Sequence, residues 1–339
     1  MGHLEQLNIL YFRWKKEFPN SIEHLINTSA SSRQYFRIYA DVETFIGVFN
    51  SDIKENKAFF HFTDIFRTGD FHVPKLFIID KSEKYYLIED LGDINLLGLL
   101  KSEGESLNIS ILYKKALEQL IRIQLYGSEH INFKKFAYPR AEFDSQSVLW
   151  DLNYFKYYFL KVVDISFDEQ LLENDFHYLA KEVTNQKCIA FMFRDFQARN
   201  IHVRADKVWL IDYQGGRKGP MLYDLASILF QASAQLSLEF REELKTLYFN
   251  LLSKRFSISR SEFEQELNSM VFIRIIQTLG TYGFRGMIEK KSYFIESIPF
   301  ALENLKAILD SPYFSLEIPY FAKLLKQLLE LKSKFVLNN

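Results

Sequence analysis

Cysteine is nearly absent from this chain. Cys188 is the only one, so no disulfide can close within the chain. Its setting, Cys188-Ile189-Ala190-Phe191-Met192, marks a buried structural thiol. Charge of one sign is missing too: 42 Lys and Arg stand against 43 Asp and Glu, a formal net charge of −1. So even a balance offers no broad basic field for nucleic acid or an anionic membrane. No apolar run approaches the roughly 18 residues that suggest a membrane span. The first residues, Gly2-His3-Leu4-Glu5-Gln6, are polar with an early acid, unlike a secretion signal, so the expected location is the cytoplasm. There is no internal repeat and no low-complexity segment. The 33 Phe and 19 Tyr are dispersed as packing residues and form no base-stacking platform. What is present suits a soluble enzyme: 339 residues, 48% hydrophobic and 25% charged, enough for a large core divided into two lobes.

Periodicity orders the chain. Leu4, Leu7, Leu10, Tyr11 and Trp14 recur at helical spacing, which predicts an amphipathic helix over residues 4–17. Tyr35–Tyr39 and Thr44–Phe49 read as a hairpin turned at Ala40-Asp41. A helix is expected over Asp52–Phe66, and further strands over Leu76–Asp80 and Tyr85–Glu89. A linker near Asp90–Asn95 ends this first region. The remainder is mainly helical, with helices expected over Ile111–Leu125, over Asp151–Val162 and from Leu222 onward.

One stretch carries chemistry. Phe193-Arg194-Asp195-Phe196-Gln197-Ala198-Arg199-Asn200 is followed by Ile201-His202-Val203, a polar turn around Asp206, and Val208-Trp209-Leu210-Ile211. Two short strands about a tight turn make a hairpin. Asn200 and Asp212 then meet at its open end, with Asp195 just before it. Two oxygen ligands, one of them charged, suit Mg²⁺, which completes its shell with phosphate oxygens and water. The free carboxylate beside them suits a residue that orients or accepts the proton of an attacking hydroxyl. The competing reading is a surface hairpin with turn-favouring Asp and Asn.

The motif resembles the catalytic loop of the aminoglycoside phosphotransferase and choline kinase superfamily. It looks most like the bacterial branch of N-acetylmuramate/N-acetylglucosamine anomeric kinases. Ser31-Ser32-Arg33-Gln34-Tyr35-Phe36-Arg37, Leu87-Ile88-Glu89-Asp90-Leu91-Gly92-Asp93, Tyr223-Asp224-Leu225-Ala226-Ser227 and Gln277-Thr278-Leu279-Gly280-Thr281-Tyr282-Gly283 fit the same branch in order. The resemblance implies an α+β, bilobal protein-kinase-like fold. It puts a β-rich N-lobe at residues 1–92 and a helical C-lobe at residues 93–339. It also implies transfer of the γ-phosphoryl of ATP, with Mg²⁺, to a hydroxyl of a small molecule. Asp195 would be the catalytic acid–base group, Asn200 and Asp212 the metal ligands, and Asp224 the brace of the loop. Ser31, Ser32 and Arg33 would cover the phosphates, and the main chain at Glu89 and Leu91 would bind adenine.

Two departures stand out. The third-strand lysine of kinases has no counterpart in Ile46-Gly47-Val48-Phe49, although Glu55 occupies the place of its acidic partner. Arg33, Arg37 or Lys54 would have to supply the missing charge. Phe193 stands where many relatives have His. Acceptor contacts are expected from Gln197, Arg199, Gln214, Arg217, Tyr282 and Arg285, with Asp144 and Gln277 as further lining. These residues suit a sugar and lack the dense acidic surface expected for an aminoglycoside. Three functions fit: an anomeric amino-sugar kinase, an aminoglycoside- or choline-type kinase, and a pseudokinase that binds nucleotide as a regulatory module.

Overall fold

The computed structural model describes residues 2–25 and 33–335. Ser31 and Ser32 lie outside the described residues. The chain opens with α1 (His3–Lys15), followed by β1 (Ser21–Leu25), β2 (Gln34–Ala40), β3 (Glu43–Phe49), α2 (Ile53–Thr68), β4 (Leu76–Ile79) and β5 (Tyr85–Glu89). The five strands form one antiparallel sheet in the order β1-β2-β3-β5-β4. Side chains alternate across such a sheet, and the two faces have different partners. Phe36, Ile38, Phe45 and Leu87 pack with Leu7, Leu10 and Tyr11 of α1 in a small core. Val48, Tyr86 and Ile88 point the other way, into the large core with Phe59, Phe62 and Phe66 of α2. Asp52 caps α2 by accepting the N–H groups of Lys54 and Glu55, satisfying donors that the first helical turn leaves unpaired.

Beyond the linker come α3 (Leu96–Glu103), α4 (Leu107–His130), α5 (Phe133–Phe136), α6 (Ser145–Phe155) and α7 (Glu169–Glu182). Then follow β6 (Ile189–Met192), β7 (Ile201–Arg204), β8 (Lys207–Leu210) and β9 (Arg217–Pro220). The chain continues with α8 (Leu222–Leu229), α9 (Leu238–Leu252), α10 (Arg260–Tyr282), α11 (Ser292–Leu309) and α12 (Pro319–Glu330). The result is the expected architecture, a small antiparallel sheet above a helical lobe. The hairpin of β7 and β8 pairs Ile201 with Leu210, as expected. The antiparallel pair of β6 and β9 was hidden in the sequence, because β9, Arg-Lys-Gly-Pro, has no strand-like composition. The helix expected over Asp151–Val162 instead begins at Ser145, capped by Asp144, and passes into a π-helical turn over Lys156–Leu160. That turn meets α10 where Gly283 follows it. A Cβ at Gly283 would stand 1.8 Å from the carbonyl oxygen of Tyr158, so only glycine permits the approach. Among the described residues no helix is long and apolar enough to cross a membrane.

Candidate active site

The site is built on the short link from β6 through β8. Arg194 has φ 79° and Asp212 φ 66°, both in the left-handed region that non-glycine residues rarely enter. Such conformations persist where surrounding contacts over-determine them, and here those contacts are visible. Asp224, fully buried in α8, accepts the backbone N–H groups of Phe193 and Arg194, each at 2.7 Å, and the Gln124 amide at 2.8 Å. Gln124 in turn accepts from the Tyr248 hydroxyl at 2.6 Å. Burial pushes the Asp224 carboxyl up to about 7, against the pull of the Phe193, Gln124 and Arg194 donors. Gln231 accepts the Ala198 N–H at 2.9 Å, and Phe193 packs edge-on against Phe196 and Tyr213. Phe193 thus fills an apolar packing position.

The three residues singled out in the sequence are tied together through the Asn200 amide, which reaches the main chain of Asp195 and the carboxylate of Asp212. Asn200 Nδ2 donates to the Asp195 carbonyl at 2.9 Å and to Asp212 Oδ2 at 3.2 Å. Among the described residues its amide oxygen has no hydrogen-bond partner, and Asp212 has no cation within ion-pair distance. Also among the described residues, no three His, Cys, Asp or Glu side chains gather as a metal site. One carboxylate and one amide oxygen suit a cation that draws its other ligands from phosphates and water; they do not form a resident all-protein cage.

Asp195 keeps its side chain 43% exposed while one oxygen accepts from Arg274 Nη2 at 2.8 Å. Burial raises its affinity for a proton, but Arg274, then Arg199 and Arg194, outweigh that and hold it below the usual carboxylate range. Arg274 on α10 also contacts Gln277. It was not singled out in the sequence, since an arginine in the middle of an apolar helix gives no local sign of pointing at a loop 79 residues earlier. Asp151 on α6 was missed as well. It pairs with Arg194 at 3.0 Å, and burial raises its pKa despite Arg194, Arg274 and Arg217.

The acceptor side departs from expectation. Gln214 is buried and donates to Asp212 Oδ1 at 2.7 Å, which makes it a support of Asp212. Arg217 is 1% exposed and donates twice to the Gly215 carbonyl, so it holds a turn and meets no solvent. Asp144 is the cap of α6, paired with Arg140. Arg285 pairs with Glu289 at 2.6 Å in the π-helical turn over Gly283–Ile288. Gln197 and Tyr282 line one cavity of about 20 Å³ with Arg274, and Arg199 lies within electrostatic range of both Asp195 and Tyr282.

The linker is clamped. Arg37 of β2 binds Asp90 at 2.7 and 3.2 Å and Asp93 at 3.0 and 2.8 Å. Arg204 binds Glu89 at 3.0 Å, and Val203 N–H reaches the Ile94 carbonyl. The Glu89 N–H is used by Lys75. Leu91, by contrast, has neither its N–H nor its carbonyl bonded among the described residues, leaving main-chain groups of the kind an adenine ring pairs with.

Comparison with known proteins agrees with this geometry. The profile of the phosphotransferase enzyme family matches residues 24–256. The N-acetylmuramate/N-acetylglucosamine kinase of Neisseria meningitidis serogroup B is 25% identical over 183 residues. The match takes in 52% of this chain and 52% of that enzyme, so the chain spans about half the length of the curated relative it matches. A choline/ethanolamine kinase family protein from Mesorhizobium loti superposes with a TM-score of 0.58 at 12% identity, over 94% of this chain and 99% of that one. An amicoumacin kinase bound to AMP-PNP and Ca²⁺ superposes with a TM-score of 0.61 at 10% identity, over 89% and 92%. The chain belongs to the phosphotransferase enzyme family.

Proposed function

We propose that this protein is a small-molecule kinase that moves the γ-phosphoryl group of ATP to a hydroxyl of an N-acetylated amino sugar, at the anomeric position. The observation that carries the transfer reaction is the convergence of Asp195, Asn200 and Asp212 on one braced loop. Asp195 orients the acceptor hydroxyl and takes its proton through the carboxylate oxygen that Arg274 leaves exposed. Asn200 and Asp212 would hold Mg²⁺, which supplies charge neutralisation at the phosphates. ATP would lie between the N-lobe, residues 1–92, and the C-lobe, residues 93–339, with adenine against the main chain of Leu91. The protein's part is mainly positioning, since phosphoryl transfer asks for little covalent chemistry from side chains.

The acceptor assignment rests on charge and on the matched relative. The ionised groups acting on Asp195 are Arg274, Arg199 and Arg194, against Asp151. With Asp195 and Asp151 offsetting Arg274 and Arg194, this lining lacks the excess of acids that a polycationic aminoglycoside calls for and suits a neutral or anionic sugar. The matched relative of Neisseria meningitidis is by name a kinase of two such sugars. The test is phosphorylation of N-acetylglucosamine and N-acetylmuramate beside kanamycin and choline, with the product's position read by ³¹P NMR. Turnover of an amino sugar alone supports the assignment; turnover confined to a cationic acceptor refutes it.

A further inference from the structure

The strand that should carry a lysine toward the phosphates carries none. On β3 the residues directed away from α1 are Ile46 and Val48, which stand opposite Arg37 and Tyr35 of β2. On β2 the opposite face, Phe36 and Ile38, is buried with Leu7 and Leu10 of α1. Period-two alternation therefore puts residues 33, 35 and 37 together on the cleft face. Arg37 marks its linker end through Asp90 and Asp93. Arg33 marks the other end, where its guanidinium lies 3.3 Å from Glu55 of α2 and within electrostatic range of Asp212.

Of the three cations that were open for the missing charge, only Arg33 is so placed. Arg37 is committed to the linker. Lys54 lines a surface cleft with Lys57, His61 and Tyr138. Arg33 is 3% exposed and stacks 5.8 Å from the Phe59 ring. Glu55 is steadied in turn by Asn50 Nδ2 at 2.8 Å. Arg33 is thus buried against Tyr86, Tyr35 and Glu55 with Asp212 in electrostatic range, which sets its charge on the cleft face.

We propose that Arg33, at the head of β2 and held by Glu55, is the cation that engages the nucleotide's phosphates, so that the role has moved from β3 to the neighbouring strand. This rests on the phosphotransfer reading above. Glu55 is a positioning residue: it aims the guanidinium and touches no nucleotide.

The experiment is calorimetric titration of the full chain with adenosine and with ADP plus Mg²⁺, for the wild type, Arg33→Met, Arg33→Lys, Glu55→Gln and Asp195→Asn. Loss of a charged phosphate contact should weaken ADP binding of Arg33→Met by roughly tenfold or more, with adenosine affinity unchanged. Arg33→Lys should recover part of that loss, Glu55→Gln should show a smaller one, and Asp195→Asn none. Circular dichroism and Tm check that each variant folds, and the lysine variant answers the question if the methionine variant does not fold. ADP binding of Arg33→Met equal to wild type would overturn the inference. So would equal losses for ADP and adenosine in both Arg33 variants, which would make Arg33 a structural residue. A wild type that binds neither compound would instead overturn the phosphotransfer reading itself.

Discussion

The two halves of the candidate site are built differently. On the phosphate side, Asn200, Asp212 and Gln214 bond to one another within 15 residues of chain, on a hairpin whose register brings them together. On the proposed acceptor side, Arg274 comes from α10, Asp151 from α6 and Arg199 from the loop, and tertiary packing brings each to act on Asp195 or its neighbour Arg194. A hairpin with a metal at its mouth demands fixed residues at fixed spacing. A pocket for a small molecule can be lined from any helix that passes, so its composition is free to vary. On the proposed function, the chemistry is local in this fold and the acceptor choice is distributed.

Substitutions on the two sides should fail in different ways, and the comparison breaks if they do not. The largest effect is expected at the junction. Asp195→Asn should lower kcat by about a hundredfold to ten-thousandfold while ADP affinity stays as in the wild type, by rapid-quench kinetics and calorimetry. Asp212→Asn should remove the tightening of ATP binding by Mg²⁺; a variant that still responds to Mg²⁺ would move the metal elsewhere. Arg274→Gln should raise the acceptor KM and lower kcat by about tenfold together, because Asp195 loses the partner that fixes one oxygen, again with nucleotide affinity unchanged. A fall in nucleotide affinity for that variant would erase the distinction between the halves.

The brace beneath both sides should show in stability. Asp224→Ala leaves two buried backbone donors unpaired at a cost of about 1–3 kcal/mol each, read as a lowered urea midpoint. Its titration gives a smaller, signed effect. Burial raises the folded-state value to about 7, above the unfolded value near 4. The stability associated with this proton is thus fully present below about pH 4 and is lost as pH rises through about 7. Urea midpoints of the wild type should decline across that window by at most about 4 kcal/mol in stability, and Asp224→Asn should flatten the slope. Equal slopes in the two proteins would show that Asp224 is ionised throughout.

The same contrast decides what could be read from the sequence. Asp195, Asn200 and Asp212 were readable because spacing and strand context specify a hairpin, whereas Asp224 as its brace came only from the family resemblance. The sheet strands β2 to β5 were readable from alternation. The acceptor residues were not. Gln214 and Arg217 were expected at the acceptor for their donor and acceptor groups, yet Gln214 bonds to Asp212 and β9 pairing sets the buried Arg217 opposite Met192. Arg274 reaches the loop from a long helix buried over most of its middle, and Asp151 from the buried face of α6, where periodicity does not single out one polar residue. Arg33 fell between these cases: its type was noticed, but its pairing with Glu55 needed the fold.

The most direct test of the account is phosphoryl transfer from ATP with Mg²⁺ to N-acetylglucosamine and N-acetylmuramate, run on wild type and Asp195→Asn side by side. The account predicts a phosphorylated sugar from the wild type and almost none from the variant, with ADP binding equal in both. ADP binding without phosphate reaching any hydroxyl in either protein, or equal turnover in both, would contradict it.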